Sequence, residues 1–147
     1  MAVIRSIPTR AEQLALESTV SDRDRADLRR GARLFDAQRF WEAHEQWEEI
    51  WQREHRPIRV FYQGLIQVAA GYHHWTVTQR PNGVRLSMRK GVEKLSWFRP
   101  TYFGVDVGAL IADADRMRVL ADGKDAEWLA AFSRNDLPTF RWVAGER

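Results

Sequence analysis

The stretch Phe40-Trp41-Glu42-Ala43-His44-Glu45-Gln46-Trp47-Glu48-Glu49-Ile50-Trp51 holds the residues of this chain best suited to chemistry. At 100° per residue, Phe40, Trp41, His44, Trp47, Glu48 and Trp51 share one helical face. That phase sets an imidazole and a carboxylate four residues apart within an aromatic stripe. Two such groups aimed at a core are costly unless they pair. Three arrangements would satisfy them. His44 and Glu48 could pair with each other, or with His73, Gln67 or Tyr72 from a neighbouring helix, and so set helix register. His44 could serve as acid or base in a ligand or catalytic site, with Glu48 setting its tautomer. His44, Glu48 and His73 could together hold a metal ion.

Spacing narrows the metal readings. His44-Glu45-Gln46-Trp47-Glu48 has Glu48 where a zinc protease helix needs its second histidine. A di-iron bundle needs Glu-x-x-His on two helices, and here Glu45 leads only to Glu48. His73 and His74 are adjacent and diverge by about 100° on a helix. The chain has no cysteine, which removes disulfides, thiolate catalysis and iron–sulfur or cysteine–zinc sites. It also has no glycine-rich phosphate loop and no nucleophile elbow. The candidate ligand-binding set is therefore His44, Glu45, Glu48, Gln67 and His73, with His44, Glu48 and His73 as the catalytic candidates. No metal and no cofactor is assigned.

Helices must position these groups, because alternating Val, Ile and Thr patterns are nearly absent. Thr9 with Glu12 forms a capping-box pattern that opens a short helix through Leu16. Ser21 and Asp24 open a second helix that runs to about Ala37, and Gln38–Arg39 makes a corner. The chemistry-bearing helix then spans about 40–53 and stops before Pro57. A long helix over about 58–79 ends at Arg80-Pro81-Asn82-Gly83, and another covers about 84–97. Asp106 caps a helix along Val107, Leu110, Ile111, Ala114 and Met117, and a short one follows over 125–132.

The 58–79 helix organises the rest. Phe61, Tyr62, Leu65, Ile66, Ala69 and Tyr72 line one of its faces, and Gly64, Val68, Gly71 and Trp75 line another. Apolar groups on two faces require neighbours on both. The two glycines suit close backbone approach, which would offset a helix cost of roughly 1 kcal/mol each. The predicted fold is all-α, a single bundle of about five to six helices around this buried helix. The expected layout is an N-terminal extension with a short helix over 1–20, a helical bundle over 21–122, and a short helix and tail over 123–147.

Phe35, the run Phe40-Trp41-Glu42-Ala43-His44-Glu45 with Glu48 and Trp51, and Phe61-Tyr62-Gln63-Gly64-Leu65-Ile66-Gln67 with Ala69, Ala70 and His73 together resemble a small helical family. It is the prokaryotic domain of unknown function 309. Gly104-Val105-Asp106-Val107 is similar to that family's distal motif, and the likeness spans roughly 28–120. The resemblance implies an all-helical bundle and carries no assigned activity.

The 147 residues are 44 % hydrophobic and 29 % charged, the make-up of one folded domain. Only Lys90, Lys94 and Lys124 are lysine among 23 cations, a skew that fits a G+C-rich bacterial genome. A net charge of +3 does not call for nucleic acid, although Arg85, Arg89, Lys90 and Lys94 make one helix basic. Val60–Gln79 carries no formal charge, but its Gln, His and Thr content is too polar for a lone membrane span. Residues 1–7 are not expected to form a signal peptide, being too short for an apolar core before Pro8, Arg10 and Glu12. A cytoplasmic module that binds a protein or a small ligand is expected, with no membrane or nucleic-acid partner and an open oligomeric state. The alternative is a hydrolase-type or metal-dependent enzyme centred on His44 and Glu48.

Overall fold

The structure, a computed structural model, describes residues 7–145. All of the leading segment 1–7 except Ile7, the stretch read above against a signal peptide, lies outside the described residues. Seven α-helices and one two-stranded hairpin make up the described chain, so the all-α expectation is met.

Local chemistry sets most of the helix ends. Thr9 accepts from the Glu12 N–H and Glu12 reaches back to the Thr9 N–H, a full capping box that opens α1 (Arg10–Glu17). Ser21 caps α2 (Asp22–Asp36), whose first turn carries Asp22 and Asp24 against the helix dipole. Gln38, with φ of 60°, turns the chain into α3 (Phe40–Arg53). Helix α4 (Arg59–His73) is shorter than the 58–79 expected, because its last turn widens into a π-helix over His74–Thr78. The Pro81 breaker acts one step earlier than expected. Gln79, at φ 47°, ends the turn, and Pro81 becomes the first residue of α5 (Pro81–Leu95), where its missing N–H costs nothing.

A 3₁₀ turn over Ser96–Phe98 leads to a hairpin that the sequence pattern did not reveal, β1 (Thr101–Tyr102) against β2 (Val105–Asp106). Asp106 then caps α6 (Val107–Ala121) by accepting from the Ala109 N–H at 3.0 Å. Asp125 caps α7 (Ala126–Ala131).

Helix α4 packs against both α3 and α5, with α2 on α3 and α6 on α5. Its two expected apolar faces are filled: Phe61, Tyr62, Leu65, Val68, Ala69, Tyr72 and, beyond its end, Trp75 are all buried. A Cβ at Gly64 would stand 2.7 Å from Leu95 Cγ, and one at Gly91 would stand 3.0 Å from the Gly64 carbonyl oxygen. The α4–α5 pair is thus in backbone contact, as the glycines suggested.

Both ends of the described chain fold back onto this bundle. The Tyr102 hydroxyl donates to the Gln13 carbonyl at 2.8 Å, and the Phe103 N–H donates to Glu17 at 2.8 Å. From the other end Phe140 packs edge-on to Phe35, and Arg141 pairs at 2.7 Å with the buried Asp113. The Asp106 N–H donates to the Arg141 carbonyl at 2.9 Å, beside the Val105–Trp142 bridge. The tail had no legible period because two or three residues do all of this packing. No described helix is long and apolar enough to cross a membrane.

Candidate functional site

The buried face of α3 is rotated from the one its tryptophans suggest. Phe40, Ala43, Gln46, Trp47 and Ile50 point into the core, while Trp41 is 46 % exposed. The difference is about a quarter turn. Trp47 alone anchors the inner face, donating its indole N–H to the Leu28 carbonyl at 3.1 Å and packing against Phe35 and Phe140. His44, Glu48 and Trp51 consequently sit on the flank of α3, half-buried beside α4, and not in the deep core that the aromatic stripe implied.

A cleft of about 170 Å³ opens on that flank, lined by His44, Glu48 and Trp51 of α3 and by Gln63, Ile66 and Gln67 of α4. Of the expected residues, His44, Glu48 and Gln67 meet here. Glu45 points outward and is exposed. His73 lies one step away, its ring 4.8 Å from Trp41, and Trp41 stacks flat on His44 at 4.3 Å. Tyr72 is fully buried elsewhere, stacked on Phe40, and its hydroxyl is pushed up by burial.

The expected pairing of His44 is not what the geometry shows. His44 Nδ1 is buried without a hydrogen-bond partner, and among the described residues no hydrogen bond joins His44 to Glu48, Gln67 or His73. Glu48 stands close enough to favour the charged imidazole, as does Glu45, but desolvation outweighs both and holds His44 below the ordinary histidine range. His73 adds to the depression. Burial lowers His73 and His74 as well. The outcome is a neutral ring beside a carboxylate, able to give or take one hydrogen bond through an atom that nothing in the fold occupies.

Gln63 and Ile66 were not among the candidate site residues. Gln63 and Gln67 are one helical turn apart on the half-exposed strip of an otherwise apolar helix, and that i,i+4 pair of amides was the available signal. Trp51 is fixed by Arg59, whose guanidinium lies 4.2 Å over its ring. A larger cleft of about 400 Å³ lies between α5 and α6, lined by Arg85, Leu86, Arg89, Arg118 and Val119. No buried, unpartnered side-chain atom of the described residues belongs to its lining, whereas His44 Nδ1 belongs to a residue lining the smaller one. Among the described residues no three His, Asp or Glu side chains converge closely enough to hold a metal ion.

Residues 28–86 match a family model described as Domain of unknown function (DUF309), a stretch that runs from within α2 to within α5 and contains every residue of the α3–α4 cleft. The matched stretch ends before Gly104-Val105-Asp106-Val107. No curated protein matches the chain.

Proposed function

With residues 28–86 falling in the DUF309 family, we propose that this chain is a small-ligand-binding module whose site is the α3–α4 cleft. The observation that carries the reading is the buried, unpartnered His44 Nδ1 beside that cleft. An unsatisfied buried polar atom costs about 1–3 kcal/mol, and a ligand that hydrogen-bonds it recovers that cost on binding. The rest of the lining describes the ligand. Glu48 is the one charged group in the cleft and favours a cationic or donor-rich end. Gln63 and Gln67 offer amides, while Ile66 and the Trp51 ring offer an apolar wall. At about 170 Å³ the cleft is smaller than the roughly 300–1,000 Å³ of drug-sized pockets, so the ligand is small. A short amine with a hydroxyl or amide group fits these requirements.

The test is a thermal-shift screen with small primary amines, amino alcohols and amino amides on the wild type and on His44→Ala. A ligand at about 100 times its Kd stabilises by about 2.7 kcal/mol, several degrees in Tm for a chain of this size. The expected result is a rise in the wild type that is lost in His44→Ala and in Gln67→Ala. A flat response across the amine set, or an equal rise in all three proteins, overturns the reading.

A second reading, an acid–base enzyme at the same cleft, is favoured by one observation: a depressed imidazole next to a carboxylate. In that case Glu48→Gln would leave ligand affinity within a few fold and remove turnover, whereas in a binding module it would weaken affinity alone.

A further inference from the structure

The outward strip of α4 and of the turn that continues it is unusual in composition. Between Val60 and Gln79 there is no formally charged residue, and the strip consists of the half-buried Gln63, Gln67, Ala70 and His74. Its two borders carry opposite charge. On the α3 side stand Trp41, Glu45 and Glu48, with Trp41 and Glu45 exposed and Glu48 half-buried. On the α5 side, Gly83 lies against the His74 ring, which places the stripe 83, 87, 90 and 94 along α4 and makes Lys90 and Lys94 its border. A single face therefore runs from carboxylates, across a neutral polar ridge, to ammonium groups.

Such a face is self-complementary. A two-fold axis running along the α4 ridge lays α4 on α4 in parallel and sets the acidic border of each copy against the basic border of the other at the same height, the isologous arrangement of a closed dimer. A foreign partner would have to carry the same bipolar pattern in mirrored order, whereas a second copy turned by 180° has it. Three helices about 22 Å long, spaced 8–10 Å apart, present roughly 22 by 25–30 Å, close to what a standard-size interface takes from each partner.

We propose that the chain forms a two-fold dimer through the α3–α4–α5 face, in which Lys90 of each copy pairs with Glu45 of the other and Lys94 stands at the mouth of the other copy's cleft, since Glu45 and Lys90 lie level along α4, as do Glu48 and Lys94. This deepens the ligand reading, on which the role of Lys94 rests, because the cleft is then roofed by the second copy. The charge pairing itself depends only on the face.

Sedimentation equilibrium and light scattering at about 100 μM chain and low ionic strength test it. The wild type is expected at twice the 17.2-kDa mass and no higher, with dissociation promoted by salt, since exposed pairs are screened. Glu45→Lys alone and Lys90→Glu alone each place like charges together and should weaken association at least about tenfold. Mixed in equal amounts the two variants again meet as opposite charges, and the dimer should return. Both positions are on the surface, so folding of each variant is checked by circular dichroism and is expected unchanged. A wild type that stays monomeric, a dimer indifferent to both reversals, or a mixture that fails to reassociate overturns the proposal. The amine screen distinguishes the two readings. A monomer that still responds to amine removes the dimer and leaves the cleft, and a charge-rescued dimer with no amine response does the reverse.

Discussion

Along its α5 flank helix α4 presents Gly64, Val68 and Gly71, and side chains and backbone of α5 fill the space down to contact distance. Along its α3 flank the same helix presents Gln63, Ile66 and Gln67, and a gap remains beside His44, whose Nδ1 is buried and unpaired. The first seam is closed: a Cβ added at Gly64, Gly71 or Gly91 would meet a neighbouring side chain at 2.7–2.8 Å. The second gives up a hydrogen bond and some packing in the same fifteen residues. A helix that can seal one side so closely leaves its other side open because of the residues chosen there, two amides where apolar groups would have closed it.

The largest effect that would break this contrast comes from the sealed seam. Gly91→Val adds atoms where a Cβ already stands 2.7 Å from Val68 Cγ2 and 3.1 Å from the Val68 nitrogen. Backbone cannot yield as a side chain can, and we expect a loss of about 3 kcal/mol by urea unfolding. Gly71→Ala sharpens the same point. Its new methyl meets only the flexible end of Met88, with the nearest atom at 2.8 Å. Its helix gain of about 1 kcal/mol offsets most of the strain, leaving a net loss of about 1 kcal/mol or less. Equal losses at the two positions would show that the seam is not set by backbone contact.

The open seam should respond weakly. The aromatic stripe led to the expectation of a buried His44–Glu48 pair, whose rupture would cost roughly 3–5 kcal/mol. With both groups half-buried and unbonded, Glu48→Ala and His44→Ala are each expected to cost less than about 1 kcal/mol. A larger loss in either variant would restore the buried pair. The smallest effect is in pH. His44, His73 and His74 are all held below their ordinary value of 6.5 by burial. The unfolded chain therefore takes up protons first as pH falls through 6.5. Stability is full above that value and is lost as pH drops through the folded-state range below it. Thermal unfolding between pH 7.5 and 5 should show this decline, and His44→Gln should flatten it.

What the sequence made legible was whatever depends on neighbours along the chain. The caps at Thr9, Ser21 and Asp106, the corner at Gln38 and the enclosed α4 with its glycines all follow from spacing and residue type. The phase of α3 did not, because tryptophans were weighted as core and the small Ala43 and polar Gln46 were not, although these two are buried and Trp41 is not. Burial of Gln46 and exposure of Trp41 depend on where α2 and α4 lie against α3, which no local pattern encodes. Helical phase marks His44 as a polar group within an aromatic stripe, but its lack of a partner is a property of the packed seam. The hairpin at 101–106 is two residues per strand, too short to carry a period, and Phe140 acquires its core position from Phe35 and Trp47, far earlier in the chain.

That hairpin has a consequence for the order in which the molecule is made. Its supports come from opposite ends of the described chain: Gln13 and Glu17 on one side, Arg141 and Val143 on the other. During synthesis the N-terminal half emerges first and can begin to pack as it does so. Helix α1 then waits for a docking surface that appears only once residues near 102 have left the ribosome, and the hairpin itself waits for the strand-like tail after Leu137. Assembly of the bundle is therefore a matter of timing as much as of contact: every residue of the α3–α4 cleft precedes in the chain the hairpin that anchors α1 and the tail that anchors the hairpin.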